Sequence, residues 1–391
     1  MTAERVYLDH NATSPLRPAA QAAVQRALGL GNASSVHAEG RAARAAIERA
    51  REQVAELVGA DPRAITFTSG ATEANTAALA PEFHVGSQVV RVDVLFLSAV
   101  EHPSVRAGGR FAAGQVEIIP VDRDGVVDLA ALKTLLARHK DAGRRALVSV
   151  MAANNETGVV EPIAEIASRV HAADGIFHCD AVQMVGRLPF GIAVSGADLI
   201  SISSHKFGGP HGCGALIARN EEIRVPALLR GGGQERGRRA GTENVSAIAG
   251  FGAAAEESAA KRSSEATRLA GLRDAAEAGL RAIAPDAIVL SAGAGRLPNT
   301  ICFAAPGVTA ETAVMAFDLE GIAVSAGAAC SSGKVGPSET LAAMQVAPEI
   351  AKGAIRVSLG WSTSESDVSR FLEVWKRVYL NLGQRRRERA A

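Results

Sequence analysis

Short apolar runs rich in β-branched residues alternate with longer stretches of helical periodicity over the first two thirds of the chain. The runs are Ala64 to Thr68, Val94 to Ser98, Val116 to Pro120, Ala146 to Met151, Ile176 to Asp180, Leu199 to Ser203 and Gly214 to Ala218. Each reads as a buried strand. Between them, Arg41 to Leu57, Leu129 to Arg138 and Pro162 to Ala172 carry the helical pattern. This alternation predicts an α/β fold, with a mostly parallel seven-stranded sheet flanked by helices on both faces. One large α/β domain is expected over residues 16–258.

The pattern then changes. Ala253 to Ile283 is alanine-rich, charged and amphipathic, and predicts a long linking helix. Short strands follow at Ala287 to Leu290, Thr300 to Phe303 and Ala354 to Ser358, then a closing helix. Ser362 with Glu365 reads as its capping box, and Val368, Phe371, Leu372, Trp375 and Tyr379 share one face. Residues 259–391, with residues 1–15 packed on them, are expected to form a smaller α+β domain. No internal repeat or long low-complexity linker interrupts the chain.

Composition narrows the classes. The 42 lysines and arginines nearly balance the 41 aspartates and glutamates over 391 residues, so no global field argues for nucleic acid or an anionic membrane. Arginines gather at Arg236 to Arg239, in a glycine-rich loop suited to a phosphate or a subunit contact. They gather again at Arg385 to Arg387, read as a solvated tail. No apolar run approaches the ~20 residues of a membrane span. Met1 to Arg5 leads straight into the strand-like Val6 to Leu8 without a signal-peptide core. Cys179, Cys213, Cys302 and Cys330 are far apart and form no CxxC pair, so neither a metal site nor a disulfide framework is indicated. The expectation is a soluble protein of the cytoplasm.

Candidate chemistry concentrates at strand ends, which in α/β proteins border the ligand crevice. His178 to Gln183 closes one strand and Ser203 to Lys206 the next, so a carboxylate, Asp180, and a lysine, Lys206, face one crevice. Pyridoxal phosphate needs such a pair: a lysine for the Schiff base and an acid to keep the ring nitrogen protonated. Gly70 to Asn75 follows a strand and opens a helix, a turn suited to a phosphate through its N–H groups and the Thr72 hydroxyl, though also an ordinary cap. Glu101 to Ser104 places His102 at a strand end, where it can stack on a cofactor and move protons, or serve structure alone. Asn154 to Gly158 either forms a turn or offers an amide to a cofactor oxygen. Gly231 to Asn244 is a glycine-rich loop ending in a helix cap. Cys330 lies among small residues, Ser325 to Lys334, where a thiolate of lowered pKa could act as nucleophile. The other three cysteines sit in apolar strands and read as core. Arg356 lies inside a strand, where a substrate carboxylate would give its guanidinium a partner.

Taken together, Tyr7 to Thr13, Asn32 to His37, Ser69 to Asn75, Glu101 to Pro103, Asn154 to Gly158, His178 to Gln183, Ser203 to Lys206, Gly231 to Asn244, Ala329 to Gly333 and Arg356 to Gly360 resemble the cysteine desulfurases of the NifS/IscS kind. These belong to the class V aminotransferases, fold-type I pyridoxal-phosphate enzymes, and the motifs run in family order over nearly the whole length. The resemblance implies pyridoxal 5'-phosphate held by Lys206, with Asp180 on its ring nitrogen and His102 stacked on the ring and assisting proton transfer. It implies a phosphate bound by Ala71, Thr72, Ser203 and His205, with Thr242 supplied by the partner subunit of a homodimer. Gln183 and Asn155 would contact the ring oxygen or substrate, Asn11 the substrate, and Arg356 its carboxylate. L-cysteine would become L-alanine, with the α-proton taken by the released Lys206 amine or by His102. Cys330 would accept the sulfur as a persulfide and pass it to an acceptor protein, an iron–sulfur scaffold or a sulfur carrier. A selenocysteine lyase, a related class V aminotransferase, or a catalytically silent scaffold for sulfur-transfer partners are the alternatives. The retention of Lys206, Asp180, His102 and Cys330 together speaks against the scaffold.

Overall fold

The computed structural model describes residues 5–327 and 338–390, with side chains through residue 381. All seven expected strands form one sheet: β1 (Ile65–Thr68), β2 (Val94–Ser98), β3 (Val116–Ile119), β4 (Ala146–Ser149), β5 (Ile176–Asp180), β6 (Leu199–Ser203) and β7 (Gly214–Ala218). Their order is β1-β7-β6-β5-β4-β2-β3, and β7 alone runs antiparallel to its neighbours. Every residue of six of these strands is buried, the signature of a sheet covered on both faces. Only β3, at the edge, is partly exposed.

From β2 the chain passes outward to β3 and returns to the other side of β2 as β4. That reversal of strand order opens a crevice beyond the carboxyl ends of β2 and β4, the general ligand site of open α/β sheets. The flanking helices include α1 (Ala38–Val58), ended by Gly59 in the left-handed conformation (φ 61°), and α2 (Ala71–Ala78), which starts directly after β1.

The long helix α3 (Val245–Ile283) begins eight residues before the expected start, where the Asn244 side chain caps Ala247 N. Its first half buries Val245, Ile248, Phe251 and Ala255 against the large sheet; its second half buries Leu269, Leu272, Ala276 and Leu280 in a separate core. That second core lies on an antiparallel sheet of four strands, in the order Ile288–Val289, Thr300–Ala304, Ile355–Ser358, Ser325–Ala326. The N-terminal Val6–Tyr7 pairs in parallel with Ile322–Ala323, and Val6 and Leu8 enter the same core. Phe303, Phe317, Phe371 and Trp375 fill it, with Phe303 edge-on to Trp375 at 5.1 Å between ring centroids.

Three further details differ from the sequence expectation. The closing helix α4 (Glu365–Ala390) is capped by Ser364 with Asp367, not by Ser362 with Glu365. A turn in which Gly360 N donates to Thr363 Oγ1 and Thr363 N to Gly360 O delays the helix by two residues. Arg385 to Arg387 continue α4 and are not a tail beyond it. Finally, Glu82–Val85 and Gln88–Arg91 form a hairpin about Gly86 (φ 59°), joined by Ile223–Arg224. The Gly-Ser turn was its signal, in an otherwise polar and weakly patterned stretch.

Candidate active site

A cavity of about 310 Å³ opens where the strand order reverses, lined from the ends of β1, β2, β4, β5 and β6. Ala71, Thr72, His102, Asn155, Asp180, Gln183, Ser203, His205 and Lys206 all border it. They are separated by up to 135 residues in sequence (71 to 206) and are brought together because each follows a strand that ends at the same edge.

Lys206 sits in the single turn after β6. Its Nζ donates to the carbonyls of Asn11 at 2.8 Å and Ala12 at 2.9 Å. Asp180 ends β5. Its Oδ2 accepts from Asn75 Nδ2 at 2.8 Å and its Oδ1 from Val182 N at 3.0 Å, so both oxygens are held by donors. Gln183 donates from Nε2 to the Asn11 carbonyl at 3.0 Å, while its buried Oε1 has no partner among the described residues. The α2 helix starts at Gly70 without a side-chain cap, leaving its first N–H groups turned to the cavity end that Thr72 borders. A Cβ at Gly70 or Gly212 would enter open space, so a cradle exists there for a bound group.

His102 follows β2 and accepts at Nδ1 from Ser104, from the backbone N–H at 3.2 Å and with the hydroxyl at 2.8 Å. Burial depresses its pKa; the nearby Asp180 carboxylate works in the opposite direction and the Lys206 cation adds to the depression. His205 is pushed down to about 3, by burial first and then by Lys206, His211 and Arg187. It is therefore neutral near pH 7. Its ring stacks on His211 at 5.2 Å, and the Thr13 hydroxyl lies within hydrogen-bond distance of both rings.

The remaining expected residues lie elsewhere. Arg356 is fully buried beneath the site, where its guanidinium donates to Asp9 Oδ1 at 2.9 Å and to the Asn155 carbonyl at 3.0 Å. Asn11 presents its backbone carbonyl to Lys206, while its side chain binds Thr300, Asn299 and the Asn155 carbonyl. Thr242 borders a neighbouring cavity of about 220 Å³ that shares Ser69 and Gly212 with the first. Cys330 lies outside the described residues. Cys179, Cys213 and Cys302 are buried, and burial pushes all three thiols up, as core cysteines require. The arginines of the glycine-rich loop are engaged within the chain: Arg236 and Arg238 donate to the Arg63 carbonyl, and Arg239 pairs with Glu73 at 2.9 Å.

Asn75, Ser104, Met151, His211 and Arg187 were not singled out from the sequence. The first four border the cavity. Asn75 and Ser104 stand inside the motifs around Thr72 and His102, one turn and two residues further on, which was the available signal. Arg187, buried, donates to the carbonyls of Gln183, His10 and Lys206 at 2.7, 3.3 and 3.2 Å and so ties three site segments together. Nothing in the pattern around it marked this role.

A strand-end lysine and a carboxylate at one crevice, beside an uncapped helix start, define an α/β enzyme site of the pyridoxal-phosphate type. Residues 6–371 match the family model described as aminotransferase class V. A protein of Cereibacter sphaeroides named cysteine desulfurase is 44% identical over 378 residues, covering 95% of each chain. One of Dictyoglomus turgidum named cysteine desulfurase IscS is 41% identical, covering 95% of this chain and 94% of its own. The X-ray structure of a NifS-like protein from Rickettsia africae superposes with TM-score 0.85 at 35% identity, over 96% of this chain and 99% of that one. The chain belongs to the class V aminotransferases, among the cysteine desulfurases.

Members of that family depend on pyridoxal phosphate, and the site fits it. The orphaned Gln183 Oε1, the cradle at Gly70 and Gly212, and the acceptor-only Asp180 opposite Lys206 match its hydroxyl, phosphate, ring nitrogen and aldehyde.

Proposed function

We propose that this chain removes sulfur from L-cysteine, releasing L-alanine and leaving a persulfide on Cys330. The observation that carries this reading is the convergence of Lys206, Asp180 and His102 on one cavity, in a chain whose relatives are named cysteine desulfurases. Lys206 Nζ would anchor the cofactor covalently, Asp180 would serve its ring nitrogen, and His102 would pack against its ring. Ala71, Thr72, Ser203 and His205 would hold the phosphate, and Gln183 and Asn155 the ring oxygen or the substrate. When bound, pyridoxal phosphate supplies the electron sink for bond changes at the substrate α- and β-carbons.

The chain's own groups do the rest. Lys206 Nζ, which borders the cavity and donates to the Asn11 and Ala12 carbonyls, would take the substrate α-proton as the neutral amine. Arg356, buried and bridging Asp9 and the Asn155 carbonyl, would have to exchange its Asp9 pair for a substrate carboxylate to act as the clamp. The Cys330 thiolate attacks the substrate sulfur: an S–S bond forms, the carbon–sulfur bond breaks, and its electron pair stays with the three-carbon skeleton. Overall, L-cysteine and the Cys330 thiol become L-alanine and the Cys330 persulfide.

The division at residues 16–258 against 1–15 with 259–391 belongs to this reading, supported by the two cores that α3 joins. So do a homodimer in which Thr242 completes the partner's phosphate site, a cytoplasmic location, and transfer of the persulfide to an iron–sulfur scaffold or sulfur carrier. Among the described residues no helix is long and apolar enough to cross a membrane.

The test is release of alanine and sulfide from L-cysteine by the cofactor-loaded protein with a reductant, beside Cys330→Ala. The parent is expected to be active and the variant to lose sulfide release while keeping its cofactor absorbance. An inactive parent, or an equally active variant, would overturn the reading.

A further inference from the structure

Asp180 and His102 are joined through two side chains, Asn75 and Ser104, and the bridge has a direction. A carboxylate only accepts hydrogen bonds, so the atom of Asn75 that lies 2.8 Å from Asp180 Oδ2 is its nitrogen. The amide keeps this orientation although its Oδ1 is buried with no partner among the described residues. The same Nδ2 lies 2.9 Å from Ser104 Oγ, so its two protons go one to each oxygen. Ser104 Oγ, which accepts from Asn75, lies 2.8 Å from His102 Nδ1, where its single proton can be given or a ring N–H accepted. The Ser104 backbone N–H is directed at the same nitrogen, at 3.2 Å. A backbone N–H can only donate, so Nδ1 carries a lone pair, and the hydroxyl is then free to donate to it as well. The proton of the neutral imidazole therefore sits on Nε2.

We propose that Asn75 and Ser104 are positioning residues that hold His102 as the neutral Nε2–H tautomer. His102 then meets the substrate as a hydrogen-bond donor, and the task of base falls to the Lys206 amine. Only this catalytic consequence rests on the desulfurase reading; the tautomer follows from the hydrogen bonds alone. Protonating Nδ1 would set its new N–H against the Ser104 backbone N–H and force the hydroxyl to turn from donor to acceptor, so the bridge and burial act together to keep the ring uncharged. The charged groups facing the ring are Asp180, which favours the imidazolium, and Lys206, which opposes it. Asp180 itself accepts two hydrogen bonds, one from Asn75 in the bridge and one from Val182 N.

The experiment uses the full chain, cofactor-free and labelled with nitrogen-15 in histidine, in long-range proton–nitrogen correlation spectra. The His102 signals are assigned by their loss in His102→Gln. Near neutral pH the parent is expected to show Nδ1 unprotonated and Nε2 protonated. Ser104→Ala removes the hydroxyl donor and should bring the two tautomers toward a mixture. It should also raise the His102 pKa by about 0.5–1 pH unit, the worth of one hydrogen bond to the neutral form. Ser104→Thr, which keeps the hydroxyl, should restore the parent pattern.

An Nδ1–H signal in the parent would overturn the assignment outright. So would a Ser104→Ala spectrum identical to the parent's. If the spectra come out as expected while the loaded protein releases no alanine from L-cysteine, the functional reading fails and the tautomer stands. Desulfuration with the opposite tautomer sinks the tautomer lock alone.

Discussion

Substituting Glu235 by alanine should unfasten the glycine-rich loop from the large sheet. Glu235 receives Arg51 Nη1 and Nη2, each at 2.8 Å, and its Oε2 also accepts from Phe67 N at 2.9 Å. The two side chains are only 3% and 2% exposed. Burial lowers the Arg51 pKa, but pairing with Glu235 and then Glu48 more than reverses this and leaves it raised. One carboxylate thus ties the loop to both α1 and β1. The tie also holds two consecutive non-glycine residues in the left-handed region, Glu235 (φ 46°, ψ 37°) and Arg236 (φ 58°, ψ 34°). Each costs about 1–2 kcal/mol and persists only while its surroundings enforce it. Glu235→Ala leaves Arg51 buried with the half-exposed Glu48 as its remaining carboxylate, and leaves Phe67 N–H without its acceptor. Removing one partner of a buried pair costs about 3–5 kcal/mol. Replacing both, as in Arg51→Met with Glu235→Met, should recover most of that, because two methionines fill the volume and bury no charge. Denaturant unfolding of the cofactor-free protein, run as a double-mutant cycle, measures both effects. A cost below about 1 kcal/mol for Glu235→Ala, or strictly additive single variants, would refute the reasoning.

Stability should fall away on both sides of mildly acidic pH. Glu161, its pKa raised to about 8 by burial, holds its proton more tightly folded than unfolded, so its contribution is present below about 4.5 and lost as pH rises toward 8. Glu161→Gln should therefore gain on the parent by up to about 1.4 kcal/mol per pH unit over that window, read from melting at several pH values; a pH-independent difference would contradict it. His10, His178 and His205, all pushed to about 3 with burial the largest cause, have the opposite sign: their contribution is present above about 6.5 and lost as pH falls toward 3. Trp375→Ala opens the smaller core, where the indole packs fully buried against Phe303, Phe317 and Tyr379, and should cost about 3–5 kcal/mol. Calorimetry checks it, and an unchanged transition would mean that this core does not limit stability.

Much of the architecture was legible because burial leaves a simple mark on sequence. A strand covered on both faces must be apolar throughout, so the seven runs stood out and their ends located the site. The long α3 helix and the aromatic face of α4 were equally plain. The exposed hairpin at Glu82–Arg91 was not, since one solvated face and a short span dilute the pattern. The α4 cap was misplaced because Ser362 and Ser364 are chemically alike. Only the turn that occupies Thr363 decides between them.

The site divides in the same way. Residue type and position at strand ends were sufficient, from the sequence alone, to single out Lys206, Asp180, His102 and the Thr72 turn, because their chemistry is uncommon there. What they touch was decided by the tertiary structure. Strand order, not sequence distance, puts β2, β5 and β6 beside one cavity. The direction of the Asp180–Asn75–Ser104–His102 bridge depends on which atoms approach within 3 Å, and no one-dimensional pattern encodes that. Arg187 shows the limit most clearly. Its partners are backbone carbonyls, which every residue possesses, so only the folded chain reveals that this guanidinium joins the Gln183, His10 and Lys206 segments.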